Sequence, residues 1–272
     1  MGSTGSINSS VSGNQPVRLP ARFLEKIWGT TDLSPWYPSA AQKIGEVWFE
    51  ADLPLLVKFV FTSDRLSVQV HPDDEFAKAH ENSLGKTEMW YVLRADPGAR
   101  IAIGFRQSIS RERLRESALN GEIEDLLQWV DVKVGDAFHV PAGTVHAIGG
   151  GLALCEIQQY SDITYRLYDY GRPRELHLEK AVQVASTEAC AAGPVALPID
   201  CKYFHTEIAK TASPLRYTPE PSRFHLLTFL SGSGNIAEQP FREGEVWLVP
   251  AGASPFLIQP GEPAKFLRTW VP

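Results

Sequence analysis

The period of apolar and polar positions changes several times along this chain. Leu66-Ser67-Val68-Gln69-Val70-His71 alternates strictly, the mark of a strand with two unlike faces. Ser67, Gln69 and His71 share one face, while Leu66, Val68 and Val70 are expected to pack behind it. Lys43 to Phe61 reads as strands, and a further β-run starts near Glu88 (EMWYVLRA) and continues through Arg100-Ile101-Ala102-Ile103. Between them Pro72-Asp73-Asp74 opens a short helical stretch, with Glu75, Phe76, Ala79 and His80 at helical spacing. Ser108 to Trp129 is charged and amphipathic and predicts helices; β-structure resumes from Val130 to Tyr168, and Glu175 to Ala185 predicts another helix. Residues 201–272 return to short strands separated by turn residues. So many short strands, punctuated by Gly and Pro, predict barrels or sandwiches and not a parallel α/β sheet.

One internal repeat sharpens this picture. Gly135-Asp-Ala-Phe-His-Val-Pro-Ala-Gly143 and Gly244-Glu-Val-Trp-Leu-Val-Pro-Ala-Gly252 share a Gly-x5-Pro-x-Gly frame, so the same strand-turn-strand unit should occur twice, in two related barrels. The copies differ three residues beyond that frame, where His146 corresponds to Pro255. The expected division is a disordered segment at 1–16, a barrel with helical insertions at 17–186 that carries a metal, and a second, degenerate barrel at 187–272 without metal ligands.

Composition narrows the function classes. With 272 residues, 43% hydrophobic and 21% charged, the chain has the make-up of an ordinary soluble protein. A formal charge of −6, without basic blocks, argues against a nucleic-acid or acidic-membrane partner. No apolar segment follows a positive start, and the run Leu53 to Phe61 is broken by Pro54 and Lys58 and is too short to span a bilayer. Cys155, Cys190 and Cys201 are widely spaced and form no CxxC pair, so reduced thiols in a cytoplasmic protein are expected.

Gly135-x5-Pro141-x-Gly143-x2-His146 resembles the second signature motif of the cupin superfamily, in which Gly and Pro shape tight turns that aim a histidine into a barrel. That likeness implies a mostly β fold of two cupin-type (jelly-roll) barrels. The first cupin motif normally carries two histidines at i and i+2 and then a glutamate; here Gln69-Val70-His71 and Glu88 stand in its place. His71 or His146 alone would more often be a satisfied polar residue than a ligand. Two imidazoles, a carboxylate and an amide oxygen together suit one borderline divalent ion, zinc above others.

LSVQVHPDD, GKTEMWYVL, VPAGTVHAIG and SDITYRLYDYGR, with KIWG at Lys26–Gly29 and GEVW at Gly45–Trp48, together resemble the motif series of the short bacterial type I mannose-6-phosphate isomerases. The likeness covers roughly residues 24–186, and the remainder only by architecture. It implies zinc held by Gln69, His71, Glu88 and His146, and a sugar phosphate as substrate. It further implies catalytic roles for Lys86, Glu156 and Arg166, and substrate contacts at Trp28, Ser67, Asp162 and Arg172. Two positions depart from the pattern: Ile163 stands where some relatives have Asn, and Arg172 where some have Lys.

Aldose–ketose isomerisation needs a base for carbon, a cation near the sugar oxygens and an anchor for phosphate. Glu156 shares a strand face with Leu154 and Gln158; it is either that base or a structural carboxylate paired with a neighbouring cation. Lys86 and Arg166 divide between the phosphate and the enediolate charge in an order the residues leave open, and Asp162 either orients Arg166 or shapes a turn. His139 is read as structural, and His80, His177, His205 and His225 show no partner pattern. Two other readings of the same residues are a non-haem iron oxygenase and a non-catalytic sugar-phosphate-binding module. Oligomeric state is not legible.

Overall fold

The computed structural model describes residues 14–272 and is mostly β, of the cupin type. The disorder expected for residues 1–13 lies outside the described residues. Asn14 and Pro16 are tied down, the former to Ser254 and the latter through its carbonyl to Gln239. The chain divides into two compact units, one of residues 20–205 and one of 206–271 with the described residues up to 19. Residues 187–205 therefore go with the first unit.

In the first unit two sheets enclose a core. One runs, in spatial order, Ala21–Thr30, Ile44–Phe49, Leu55–Thr62, Leu152–Gln159, Glu88–Ala95 and Ala137–Val140. The other runs Tyr165–Tyr168, Val68–Val70, His146–Ile148, Arg100–Phe105 and Leu127–Asp131. Every assigned pairing within them is antiparallel. Strand alternation sorts the side chains. Val60, Trp90, Val92, Ile101, Ile148 and Leu154 form one buried cluster. Val68, Val70, Ala102, Ala147 and Leu167 point the other way and are covered by Leu114, Ala118 and Ala181 of the helices. Leu66 lies just before its strand and joins the first cluster with Trp90 and Leu154, so it does not pack behind with Val68 and Val70.

The helices are Asp74–Glu81, Arg111–Asn120, Ile123–Leu126 and Leu178–Val184. Asp73 and Ser110 cap the first two by accepting from the backbone N–H three residues on, at Phe76 and Arg113. Leu127–Trp129, expected in a helix, is strand, paired with Ala102 and Phe105. The strand Ala21–Thr30 has no counterpart in the sequence reading, because most of its side chains through Ile27 face solvent and its apolar pattern is weak.

The second unit repeats the plan. Val17–Arg18, Val246–Val249, His225–Ser231, Ala264–Trp270 and His205–Thr211 are successive neighbours in one sheet, and Leu215–Tyr217, Phe256–Pro260, Ser233–Ile236 and Gln239–Arg242 form another. The repeated motif is structural: Gly135 and Gly143 bracket the strand Ala137–Val140, and Gly244 and Gly252 bracket Val246–Val249. All four glycines have positive φ, from 72° to 95°, a region that side-chain-bearing residues rarely adopt. Both copies therefore need glycine at both ends. No described helix is long and apolar enough to cross a membrane.

Candidate metal centre and substrate cleft

Two rows of cross-strand neighbours build the site. On the first sheet Trp48, Lys58, Glu156 and Trp90 are register partners across four adjacent strands. On the second sheet Arg166 pairs with Gln69, and Gln69 with His146. Side chains in such rows stand next to one another on one face. These two rows open on one cleft of about 240 Å³, lined among others by Trp28, Ser67, Gln69, Lys86, Glu156, Asp162 and Arg166. A larger, open hollow of about 610 Å³ lies around Arg65, Arg100 and Arg106 and contains none of the residues singled out by the sequence.

His71, Glu88 and His146 meet at this site, all at most 2% exposed, with ligand atoms within 4.8 Å of one another. Among the described residues this is the only such His, Cys, Asp and Glu group. His71 Nδ1 lies 2.8 Å from the Ile163 carbonyl, and His146 Nδ1 lies 2.9 Å from that of Thr144. A carbonyl only accepts, so each Nδ1 carries the proton and each Nε2 turns a lone pair into the site. Because Ile163 contributes its backbone oxygen, the residue type at that position leaves the contact intact. Nε2 of His71 is 3.6 Å from Glu88 Oε2, and Nε2 of His146 is 3.5 Å from Glu88 Oε1.

Two N–H donors face the lone pairs. Lys86 Nζ is 3.2 Å from His71 Nε2, and Gln69 Nε2 is 3.2 Å from His146 Nε2. The Gln69 amide oxygen accepts from Ser67 Oγ at 3.1 Å. Burial, and next the Lys86 charge, push the His71 pKa well below its ordinary value; burial lowers that of His146 to about 4. Burial opposes the charge on Lys86 as well, but Glu88 and Glu156 outweigh it and the net shift is upward. Desolvation drives the Glu88 carboxyl up, and its Oε2 accepts no hydrogen bond although Lys86 Nζ is 3.3 Å away. Two imidazole lone pairs and an under-satisfied buried carboxylate, all converging, are the donor set of a divalent-cation site.

Glu156 is 6% exposed; Lys58 Nζ lies 3.3 Å from Oε1, and Trp90 Nε1 donates to Oε2 at 3.2 Å. Glu156 thus has the neighbouring cation of the structural option and also lines the cleft, as a base would have to. Farther along the wall, Lys26 and Glu46 are 3.1 Å apart, Trp48 Nε1 donates to Glu46 at 2.9 Å, and Lys58 Nζ lies 4.5 Å from the centre of the Trp48 ring. Burial would raise the Glu46 pKa, but Lys58 and Lys26 outweigh it and hold it low.

Of the predicted residues, Arg172 alone belongs neither to the lining of the cleft nor to the His71–Glu88–His146 cluster. Its guanidinium lies against Asp169, over the Tyr170 ring at 5.2 Å and 3.7 Å from Asp64. Arg174 lines the cleft instead. Sequence reasoning also passed over Lys26, Glu46 and Lys58. Lys26 and Glu46 sit inside the KIWG and GEVW segments, and Lys58 is a lone charge within the buried strand Leu55–Thr62, a signal that was there to read.

A cupin-type barrel holding a buried two-histidine, one-carboxylate cluster beside a polar cleft defines the class of this protein. No family model matches the chain. It is 33% identical over 307 aligned positions to a mannose-6-phosphate isomerase of Bacillus subtilis, covering 90% of this chain and 96% of that one. Over 137 positions, 48% of this chain, it is 50% identical to a mannose-6-phosphate isomerase of Streptococcus mutans, of which 43% is covered. The crystal structure of the mannose 6-phosphate isomerase from Bacillus subtilis superposes with a TM-score of 0.85, at 27% identity, over 94% of this chain and 99% of that one. The chain belongs to the mannose-6-phosphate isomerase family.

Proposed function

We propose that this protein interconverts mannose 6-phosphate and fructose 6-phosphate by moving a proton between C1 and C2. The observation that carries the reading is one cleft that holds Glu156 and the cations of the wall, and whose Lys86 and Gln69 each lie 3.2 Å from a histidine of the His71–Glu88–His146 cluster. Family membership and the names of the relatives support it.

In this reading Gln69, His71, Glu88 and His146 hold one zinc ion. Three of the four already converge, and a half-turn of the Gln69 amide exchanges its nitrogen for its oxygen. When bound, the ion supplies positive charge against the negative charge that develops on the sugar oxygens, and it keeps Glu88 ionised. Glu156 takes the proton from C2 of the open-chain aldose and returns it to C1 while the hydroxyl proton passes from O2 to O1, so the carboxylate is regenerated in each turnover. Its two partners fix its direction: Lys58 holds one oxygen and Trp90 the other. Lys86 stands on the same side as Glu88 and offers its ammonium to the enediolate charge. Arg166, on the opposite sheet, faces the phosphate end, with Trp28, Ser67 and Asp162 completing the contact surface. The second unit, with Pro255 at the position of His146, is read as a degenerate barrel that carries no metal.

The test is direct. Purified protein with stoichiometric zinc should form fructose 6-phosphate from mannose 6-phosphate, lose the activity to a chelator and regain it with zinc. Absence of fructose 6-phosphate with the metal demonstrably bound would overturn the reading.

A further inference from the structure

Asp169 is 3% exposed and lies just beyond the strand Tyr165–Tyr168. Its Oδ2 accepts from Arg174 Nε at 2.6 Å and its Oδ1 from Arg174 Nη2 at 2.5 Å, a two-pronged fork. Oδ1 also accepts from Arg172, Nη2 at 2.7 Å and Nε at 3.1 Å. One buried carboxylate thus clamps two guanidinium groups by their Nε edges. The clamp leaves Arg174 Nη1 unengaged by Asp169, and Arg174 is the member of the pair that lines the cleft.

Arg166 lies on the same wall. Its Nη1 donates to the Glu175 carbonyl at 2.7 Å, while its Nε is buried and has no hydrogen-bond partner. Three guanidinium groups against one buried carboxylate leave a positive surplus, and the neighbouring arginines lower the Arg166 pKa after burial does. Like charges this close are held together at a cost, which an incoming anion removes.

Resting on the sugar-phosphate reading of the cleft, we propose that Arg174 completes the phosphate subsite with Arg166, and that Asp169 is the positioning residue that holds Arg174 there. Arg172 is the counterweight: it occupies the rest of Oδ1, stacks on Tyr170 and keeps the Asp169 carboxylate from turning. An Arg fork fixed along its Nε edge presents its remaining N–H groups in one direction, which suits a phosphate oxygen better than a mobile lysine would.

The probe is inorganic phosphate as a competitive inhibitor of the zinc-loaded enzyme. Asp169→Asn keeps the shape but loses the charge. It should weaken phosphate inhibition and raise KM for mannose 6-phosphate by roughly 10-fold or more, the size of a lost charge-assisted contact, with kcat changed less than about 3-fold. Arg174→Gln, at a half-buried side chain whose loss the fold tolerates better, should give a similar KM effect. The Asp169→Asn/Arg174→Gln double variant should be no worse than Arg174→Gln alone, because the two residues act as one unit. Wild-type phosphate inhibition in Asp169→Asn, losses that multiply in the double variant, or a loss confined to kcat would each overturn the proposal. If the unsubstituted enzyme does not convert mannose 6-phosphate at all, the reading of the cleft fails instead, and phosphate binding to the three variants by calorimetry still decides whether Asp169 and Arg174 form an anion site.

Discussion

Lys58 and Glu156 are register partners on neighbouring strands, and their side chains meet 3.3 Å apart at 2% and 7% exposure. A buried pair of this kind adds little net stability, yet breaking it strands a charge without water or partner. Lys58→Met should therefore destabilise the first unit by about 3 kcal/mol in a denaturant titration and lower turnover. Lys58→Met/Glu156→Gln should recover part of that stability but none of the turnover. A double variant less stable than Lys58→Met would contradict the pairing.

Glu156→Gln is nearly isosteric and keeps an oxygen for the Trp90 N–H, so orientation survives while proton transfer does not. Turnover should fall by at least ~10²-fold with KM little changed, the pattern of an interaction made in the transition state. Exchange of the C2 proton in deuterated water reads the step itself. If the variant exchanges it at the parent rate, Glu156 is structural.

His146→Ala should lose both the ion and the activity while the far-ultraviolet circular dichroism stays close to the parent's. The reason is local: His146 points its Nε2 into the cluster, and its strand keeps its backbone pairing with Ile103 whatever the side chain. Elemental analysis checks the assignment. A variant that still binds the metal tightly and stoichiometrically would dismiss His146 as a ligand.

The parts of this site that were legible in the sequence are those where strand geometry leaves no choice. Alternation put Ser67, Gln69 and His71 on one face, and Glu156 with Leu154, which lies in the buried cluster on its own face of the sheet. Repeated Gly-x5-Pro-x-Gly frames marked turns that only glycine takes without strain, and the structure has positive φ at each. What was not legible depends on partners distant in the chain. Lys58 reads as an interruption of an apolar run until Glu156, 98 positions later in the numbering, arrives beside it. The choice between Arg172 and Arg174 is made in a turn, at Tyr170 (φ 55°) and Gly171 (φ 75°), and by the Asp169 carboxylate, none of which obeys a period.

The second unit offers a test that is independent of the metal. His225 is fully buried, with Nδ1 2.6 Å from the Tyr217 hydroxyl, Trp270 against its ring, and Nε2 without a hydrogen-bond partner. Burial, and next the Arg268 charge, lower its pKa to about 4, with Glu220 and Glu207 opposing. In the unfolded chain an imidazole titrates near ~6.5, so on acidification the unfolded state takes up the proton first. The stability that depends on a neutral His225 is therefore complete above about pH 6.5 and is lost progressively as pH falls toward about 4. Of the total, about 1–2 kcal/mol should disappear between roughly pH 7.5 and pH 5. His225→Asn can keep a contact with Tyr217 but has no proton to gain. It should be less stable than the parent at neutral pH, and the gap should narrow by that amount on acidification, as urea titrations at both pH values would read. A gap that is constant with pH would mean that His225 titrates alike in the folded and unfolded states, and that its burial carries no penalty for charge.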